Sequence, residues 1–279
     1  MKLKPQISTS DLKFAIEKLF NIDFYDYISG KRNLTASEQE SLSRVIREHD
    51  KGRPLEYLLK KAVFFGLEFE IDEAVLIPRP ETEILVEAVL QYSGGRKELF
   101  ILDIGTGSAN ITVALAEKNP FFKFFSVDIC AKALALAKRN ILKHKCRNVY
   151  LVKADLLSCF REKSFDIIVS NPPYVESDYI RKHRMDYEPR IALDGGKDGL
   201  DAIRKIIKAA RVYLKAKGLL FLEIGYGQRQ NTVGYAESCG FELVKVVKDY
   251  AGIDRVIVLE EETRNQIENG FGLWEPASI

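Results

Sequence analysis

Asn171-Pro172-Pro173-Tyr174 is the part of the chain whose residue types and order best suit chemistry. An amide or arylamine NH₂ is a poor nucleophile, because its lone pair is delocalised into the neighbouring π system. The side-chain oxygen of Asn171 and the backbone carbonyl of Pro172 can each accept one N–H of such a group. Two bonds of this kind polarise the nitrogen and aim it at an electrophilic methyl group such as a methyl sulfonium. Pro172 and Pro173 fix φ and stiffen the turn, so both acceptors are in place before a substrate arrives. The ring of Tyr174 is expected to stack on the planar group.

A second constellation lies upstream. Leu102-Asp103-Ile104-Gly105-Thr106-Gly107-Ser108 reads as a strand that ends in a glycine turn and enters a helix. Glycines there allow dihedrals that side chains forbid and let backbone amides approach a ligand. The stretch is not the dinucleotide pattern G-x-G-x-x-G, since Asn110 stands at the third glycine, and no G-K-[ST] follows. Asp128, closing the next apolar run, can accept hydrogen bonds from both hydroxyls of a ribose. Asp155 closes the third run where an adenine would lie, and Leu156 offers that ring an apolar contact. Asp103 is expected near the charged head of the same ligand.

These residues need a scaffold that brings strand ends together. Leu99–Ile104, Phe124–Asp128, Val149–Val152, Phe165–Ser170 and Leu219–Ile224 read as buried strands. They alternate with helices at Ile111–Glu117, Ala131–Leu142, Gly199–Leu214 and Thr232–Ser238. That order predicts an α/β fold, a mostly parallel doubly wound sheet with helices on both faces. Phe241–Val247 and Arg255–Glu260 leave no room for a crossover helix and should pair antiparallel, giving seven strands with the last antiparallel.

The first sixty residues have a different character. Ser10 is expected to cap a helix with Leu12, Ala15, Ile16 and Leu19 on one face, and Thr35-Ala36-Ser37-Glu38 is a capping box ahead of Leu42, Val45 and Ile46. Residues 62–77 read as strands around turns. Pro78-Arg79-Pro80 then breaks the strand, and Glu81 opens a helix bearing Ile84, Leu85, Ala88 and Val89. The expected organisation is a helical docking domain over 1–60, a β-hairpin linker over 61–78, the α/β domain over 79–262 and a polar tail over 263–279.

Composition narrows the options. The chain has 279 residues, 42 Lys and Arg against 40 Asp and Glu, and a net charge of +2. Residues 1–72 carry 12 basic and 12 acidic side chains, so the helical part offers no basic face for nucleic acid. Cys130, Cys146, Cys159 and Cys239 are scattered, as are His49, His144 and His183. Neither set forms a zinc or disulfide pattern, and no metal is expected. No apolar run reaches the roughly 18 residues a membrane helix needs. Met1-Lys2-Leu3-Lys4-Pro5 is not followed by the apolar core of a secretory leader. The cytoplasm is the expected compartment.

Taken in order, Gly105-Thr106-Gly107-Ser108, Asp128, Asp155 and Asn171-Pro172-Pro173-Tyr174 resemble the Rossmann-like class I methyltransferase fold with an N-P-P-Y motif. Three further stretches resemble the release factor glutamine methyltransferases (the HemK/PrmC family). They are Leu76–Glu83 (L-I-P-R-P-E-T-E), Glu188–Leu200 (E-P-R-I-A-L-D-G-G-K-D-G-L) and Glu223–Gln228 (E-I-G-Y-G-Q). The resemblance covers roughly residues 10–260. It implies that S-adenosyl-L-methionine binds to Gly105, Thr106, Gly107, Ser108, Ala109, Asp128, Asp155, Leu156 and Asn171, and leaves as S-adenosyl-L-homocysteine. It implies that Asn171, Pro172, Pro173 and Tyr174 bind the glutamine of the Gly-Gly-Gln loop of peptide-chain release factors, the product being N5-methylglutamine. It also implies a protein partner gripped by the helical domain, with no direct nucleic-acid contact, and a monomer is expected. Two positions depart from the family. Ala109 replaces a usual glycine, where a methyl group would crowd the cofactor, and Lys60 replaces a glycine before the hairpin. An adenine-N6 methyltransferase of nucleic acid, a ribosomal-protein glutamine methyltransferase and a cofactor binder without catalysis are the alternative readings. The neutral helical domain opposes the first, and the intact Pro78–Glu83 stretch opposes the second.

Overall fold

Helical periodicity at the start of the chain becomes α1 (Thr9–Phe20), α2 (Phe24–Ile28), α3 (Ala36–His49) and α4 (Leu55–Leu59) in the computed structural model, which describes residues 7–155, 159–183 and 185–262. Ser8, not Ser10, caps α1: its hydroxyl accepts the N–H of Asp11 at 3.1 Å. A capping hydroxyl reaches the amide three residues ahead, which sets the helix start at Thr9. At α3 the capping box of Thr35 and Glu38 is complete in both directions. Ala15, Ile16, Phe24, Leu34, Leu42 and Leu55 close these helices over a core of their own.

β1 (Lys61–Phe64) and β2 (Leu67–Glu70) form the hairpin, turning through Phe65 and Gly66, both at positive φ. Glu68 on β2 ties the helices to the sheet domain, accepting from Lys18 of α1 at 2.7 Å and from Lys143 at 3.0 Å. Residues 71–77 are not a strand, although Ile71, Val75 and Ile77 are buried as the apolar pattern requires. Their backbone is satisfied by other means: the Tyr57 hydroxyl donates to the Val75 carbonyl, and Ile77 N–H donates to the Glu188 carboxylate. α5 (Pro80–Ser93) starts on Pro80, whose fixed φ and missing N–H suit the first helical position.

The main sheet, among the described residues, has seven strands. They are β3 (Phe100–Ile104), β4 (Lys123–Asp128), β5 (Val149–Lys153), β6 (Phe165–Ser170), β7 (Leu214–Glu223), β8 (Phe241–Lys248) and β9 (Asp254–Glu261), in the order β5-β4-β3-β6-β7-β9-β8. β9 runs antiparallel to both neighbours, and the pairs from β5 to β7 are parallel. β7 begins at Leu214, earlier than expected, with a register irregularity opposite Phe165 and Ile167. Alternate strand residues feed two cores. Ile101, Ile167 and Phe221 pack with α5, α6 (Asn110–Lys118) and α7 (Ala131–Lys143). α8 (Ser177–His183) follows β6 in the chain, and Leu102, Ile168 and Leu220 pack beneath α9 (Asp201–Tyr213) and α10 (Arg229–Ser238) on the other side, where Ile203, Ile206 and Ala236 complete the layer. No helix among the described residues is long and apolar enough to cross a membrane.

Both departures from the family's glycine pattern fall on left-handed backbone. Lys60 closes α4 at φ 55°, and Ala109 precedes α6 at φ 64°. An L-residue there costs about 1–2 kcal/mol relative to the right-handed region, and glycine does not. Lys60 is exposed, so Lys60→Gly is expected to raise unfolding free energy by about 1 kcal/mol in a urea titration. A fall would show that its side chain makes a contribution larger than the strain. Ala109→Gly relieves the same strain but removes a fully buried methyl, and should change stability little.

Candidate active site

The chain builds β3, β4 and β5 outward from the centre, then returns to lay β6 beside β3. In such sheets the crevice at this reversal, outside the strands' C-terminal ends, is where ligands bind. Ile104 and Ser170 are direct partners across β3 and β6, so Gly105 and Asn171 leave the sheet side by side. A cavity of about 570 Å³ opens between their loops, within the range of cofactor sites.

One wall is Gly105, Thr106, Gly107 and Ser108, with Asp128 and Asp155 at its floor. Gly105 holds φ 73°, and a Cβ built on it would meet nothing within 4 Å, projecting into open space. Asp128 braces the loop: one carboxylate oxygen accepts the N–H of Gly107 at 3.0 Å, the other that of Cys130 at 2.8 Å. Each oxygen keeps a further lone pair for a ligand hydroxyl. Leu156 lies outside the described residues.

Two expectations at this wall are corrected. Ala109 does not line the cavity. Its methyl is buried in the α5–α7 core and its N–H bonds the Thr106 carbonyl, so it cannot crowd a ligand. Asp103 is also off the wall. It is buried, with one oxygen accepting the hydroxyls of Thr106 and Thr112, both at 2.7 Å. Burial pushes its carboxyl up to about 6 against those two bonds, with the Asp128 charge adding to the rise. Its work is to hold the turn through Thr106.

Asn171, Pro172 and Pro173 form the opposite wall. The Asn171 Nδ2 amide donates to Thr82 Oγ1 at 3.0 Å, which leaves Oδ1 without a hydrogen-bond partner among the described residues. Tyr174 is not on the wall, contrary to the stacking role expected for it. Its hydroxyl donates to Glu223 Oε1 at 2.9 Å and its ring packs against the α9–α10 core. Burial, together with the Glu223 charge, pushes that hydroxyl far above its usual range, so it stays a donor.

The stretches that had no chemical role in the sequence prove to be the buttress of this turn. Gln228 Nε2 donates to the Tyr174 carbonyl at 2.9 Å and to that of Gly199 at 3.3 Å, while its Oε1 accepts Gly225 N–H at 2.8 Å. Val175 N–H donates to Leu193 O, and Gly195 N–H to Val175 O. Glu188 pairs with Arg79 as well as holding Ile77, which ties this loop to the segment before α5. Thr82, Glu223 and Gln228 were missed as site residues. Glu223, a glutamate inside the apolar run Leu219–Ile224, was the available signal, since buried polar groups require partners; Thr82, between Glu81 and Glu83, gave none.

The family described as "Methyltransferase small domain" matches residues 80–186. The release factor glutamine methyltransferase of Thermodesulfovibrio yellowstonii is 39% identical over 252 residues, covering 87% of this chain and 89% of its own. That of Geobacter sulfurreducens is 38% identical, covering 83% and 81% respectively. A methyltransferase structure from Pyrococcus furiosus superposes with a TM-score of 0.54 at 19% identity, over 82% of this chain and 100% of that one, which is a likeness of fold.

Proposed function

Because the chain belongs to the release factor glutamine methyltransferase family, we propose that its crevice methylates N5 of the glutamine in the Gly-Gly-Gln loop of peptide-chain release factors. The protein is an S-adenosyl-L-methionine-dependent methyltransferase. When bound, that cofactor supplies a methyl group on a positively charged sulfonium and departs as S-adenosyl-L-homocysteine. The residues present suit it: a glycine turn bordering the cavity, with Gly105 at a φ of 73° that side chains rarely adopt, and a carboxylate at Asp128 with lone pairs to spare for ribose hydroxyls.

The observation that carries the substrate reading is the pairing of acceptors on the second wall. Asn171 Oδ1 and the Pro172 carbonyl receive no hydrogen bond among the described residues, and both residues border the cavity. A primary amide entering there finds one acceptor for each N–H. Desolvation by the surrounding apolar wall strengthens both bonds, and the amide nitrogen is held while its carbonyl carbon stays planar. The helices α1–α4 serve as the docking surface for the release factor, away from the chemistry. The protein acts in the cytoplasm, as a monomer, without contacting nucleic acid directly.

The test offers purified release factor, its loop Gln→Ala mutant and DNA side by side with methyl-labelled cofactor. Label is expected on the intact release factor alone. Label on the loop mutant would mean another acceptor residue, and label on DNA an adenine-type substrate.

A further inference from the structure

We propose that Glu223 and Thr82 are positioning residues that fix which end of the Asn171 side-chain amide faces the cavity. The inference rests on the amide-acceptor role of Asn171 given above. The two ends of an asparagine amide are nearly the same size, and a half-turn about one bond exchanges them. With Oδ1 toward the cavity the residue accepts a substrate N–H. With Nδ2 there it would set N–H against N–H. Shape alone does not choose between them, so a hydrogen-bond partner must.

That partner is a one-way chain. Glu223, the last residue of β7, is fully buried, and its Oε2 lies 2.7 Å from Thr82 Oγ1. An ionised carboxylate only accepts, so the single Thr82 proton points at Glu223. The Thr82 oxygen is then left as an acceptor, and at 3.0 Å it takes the Asn171 NH₂. Tyr174 donates to the other Glu223 oxygen at 2.9 Å. Every bond thus runs toward Glu223, and Asn171 Oδ1 is turned to the cavity. Thr82 borders the cavity while Glu223 does not, so Glu223 acts through Thr82 and Asn171 rather than on a substrate.

Adding a proton to Glu223 would reverse one of the two bonds it receives. Reversal at Tyr174 would strand a buried hydroxyl that has no second acceptor among the described residues. Reversal at Thr82 strands nothing, because Asn171 can rotate and show its NH₂ to the cavity. Protonation therefore acts on the Thr82 side and turns the asparagine the wrong way round. The groups facing Glu223 are Thr82 and Glu81 from α5, Tyr174 from the turn after β6 and Arg255 from β9. Burial is the largest influence and pushes Glu223 up to about 7, against the two hydrogen bonds and the Arg255 charge, with Glu81 adding to the rise. The carboxylate form, and with it the productive amide orientation, is gained as pH rises through that value.

The experiment measures kcat, KM for release factor and the dissociation constant for S-adenosyl-L-methionine in wild type, Thr82→Val, Thr82→Ser and Glu223→Gln. Thr82→Val keeps the shape but leaves Asn171 Nδ2 facing a methyl group. Its kcat is expected to fall about 100-fold, the scale of a misoriented reactant, with cofactor affinity within twofold of wild type. Thr82→Ser restores the hydroxyl and should recover kcat to within several-fold. Glu223→Gln should lower kcat similarly and flatten its rise across neutral pH. Side-chain amide NMR of Asn171 in the cofactor-free protein reads the same chain without substrate: a slowly exchanging Nδ2 proton in wild type and Thr82→Ser, a fast one in Thr82→Val. Unchanged kcat in Thr82→Val, a Thr82→Ser as impaired as the valine variant, or equal Nδ2 exchange in all proteins would overturn the proposal. A wild type that leaves release factor unmethylated while showing the protected Nδ2 proton would sink the substrate reading and support the positioning.

Discussion

Asn171→Ala is expected to lower kcat for methyl transfer by about 100- to 1000-fold, the scale seen when one preorganised hydrogen-bonding group is removed from an active site. Alanine removes the Oδ1 acceptor and also the Nδ2 donor that meets Thr82. The Pro172 carbonyl remains, so a primary amide would still be held by one N–H, with its nitrogen free to swing. Cofactor affinity should change by no more than a few-fold, because the glycine turn and Asp128 sit on the loops after β3 and β4, across the cavity. Single-turnover transfer and calorimetric titration of S-adenosyl-L-methionine separate the two effects. A kcat within tenfold of wild type would remove Asn171 from the chemistry. An equal loss in cofactor binding would recast it as a cofactor ligand.

The second large effect is expected at Gly199→Ala, a position with no contact to the cavity. Gly199 holds φ 73°, and a Cβ there would fall on the Tyr174 carbonyl oxygen and lie 2.5 Å from Gln228 Nε2. The left-handed backbone costs about 1–2 kcal/mol for alanine, and relieving the overlap costs about 1–3 kcal/mol more. A loss of about 2–5 kcal/mol corresponds to a melting point lower by very roughly 5–15 °C in a domain of this size. Activity should fall as well, since the carbonyl that must move belongs to the same rigid turn as Asn171. Gly234→Ala, inside α10 with nothing within 4 Å of its Cβ, is the matched control and should stabilise by about 0.5–1 kcal/mol. Similar melting points for the two variants would refute the close approach at Gly199.

Sequence patterning was enough to find the sheet strands, their alternation with helices and the antiparallel closing pair, while the strand order that sets the glycine turn beside Asn171 came from the structure. Strand period and crossover length are local properties. The short helices α2 and α8 were not legible, because one or two turns carry too little periodicity to register. The apolar positions at Ile71, Val75 and Ile77 were legible as buried, yet they do not form a strand. Burial fixes where side chains go but not which partner the backbone finds, and here Tyr57 and Glu188 supply it.

The orientation of Asn171 depends on Thr82, 89 residues earlier, and on Glu223, 141 residues after Thr82. No spacing rule reaches that far. Thr82 reads locally as an ordinary helix residue, and Glu223 in its apolar run shows that it needs a partner without showing which one. Ala109 shows the converse error: its replacement of a usual glycine in the ligand loop suggested a clash, while its side chain is buried in the core. Tyr174 is similar, adjacent to the acceptors yet turned inward to Glu223.

The central claim is that Asn171 and Pro172 hold a protein glutamine amide for methylation. Tandem mass spectrometry of release factor after reaction with wild type and with Asn171→Ala tests it most directly. The account predicts one added methyl on the side-chain nitrogen of the Gly-Gly-Gln glutamine with wild type, and almost none with the variant. A methyl on any other residue, or equal methylation by both proteins, would contradict it.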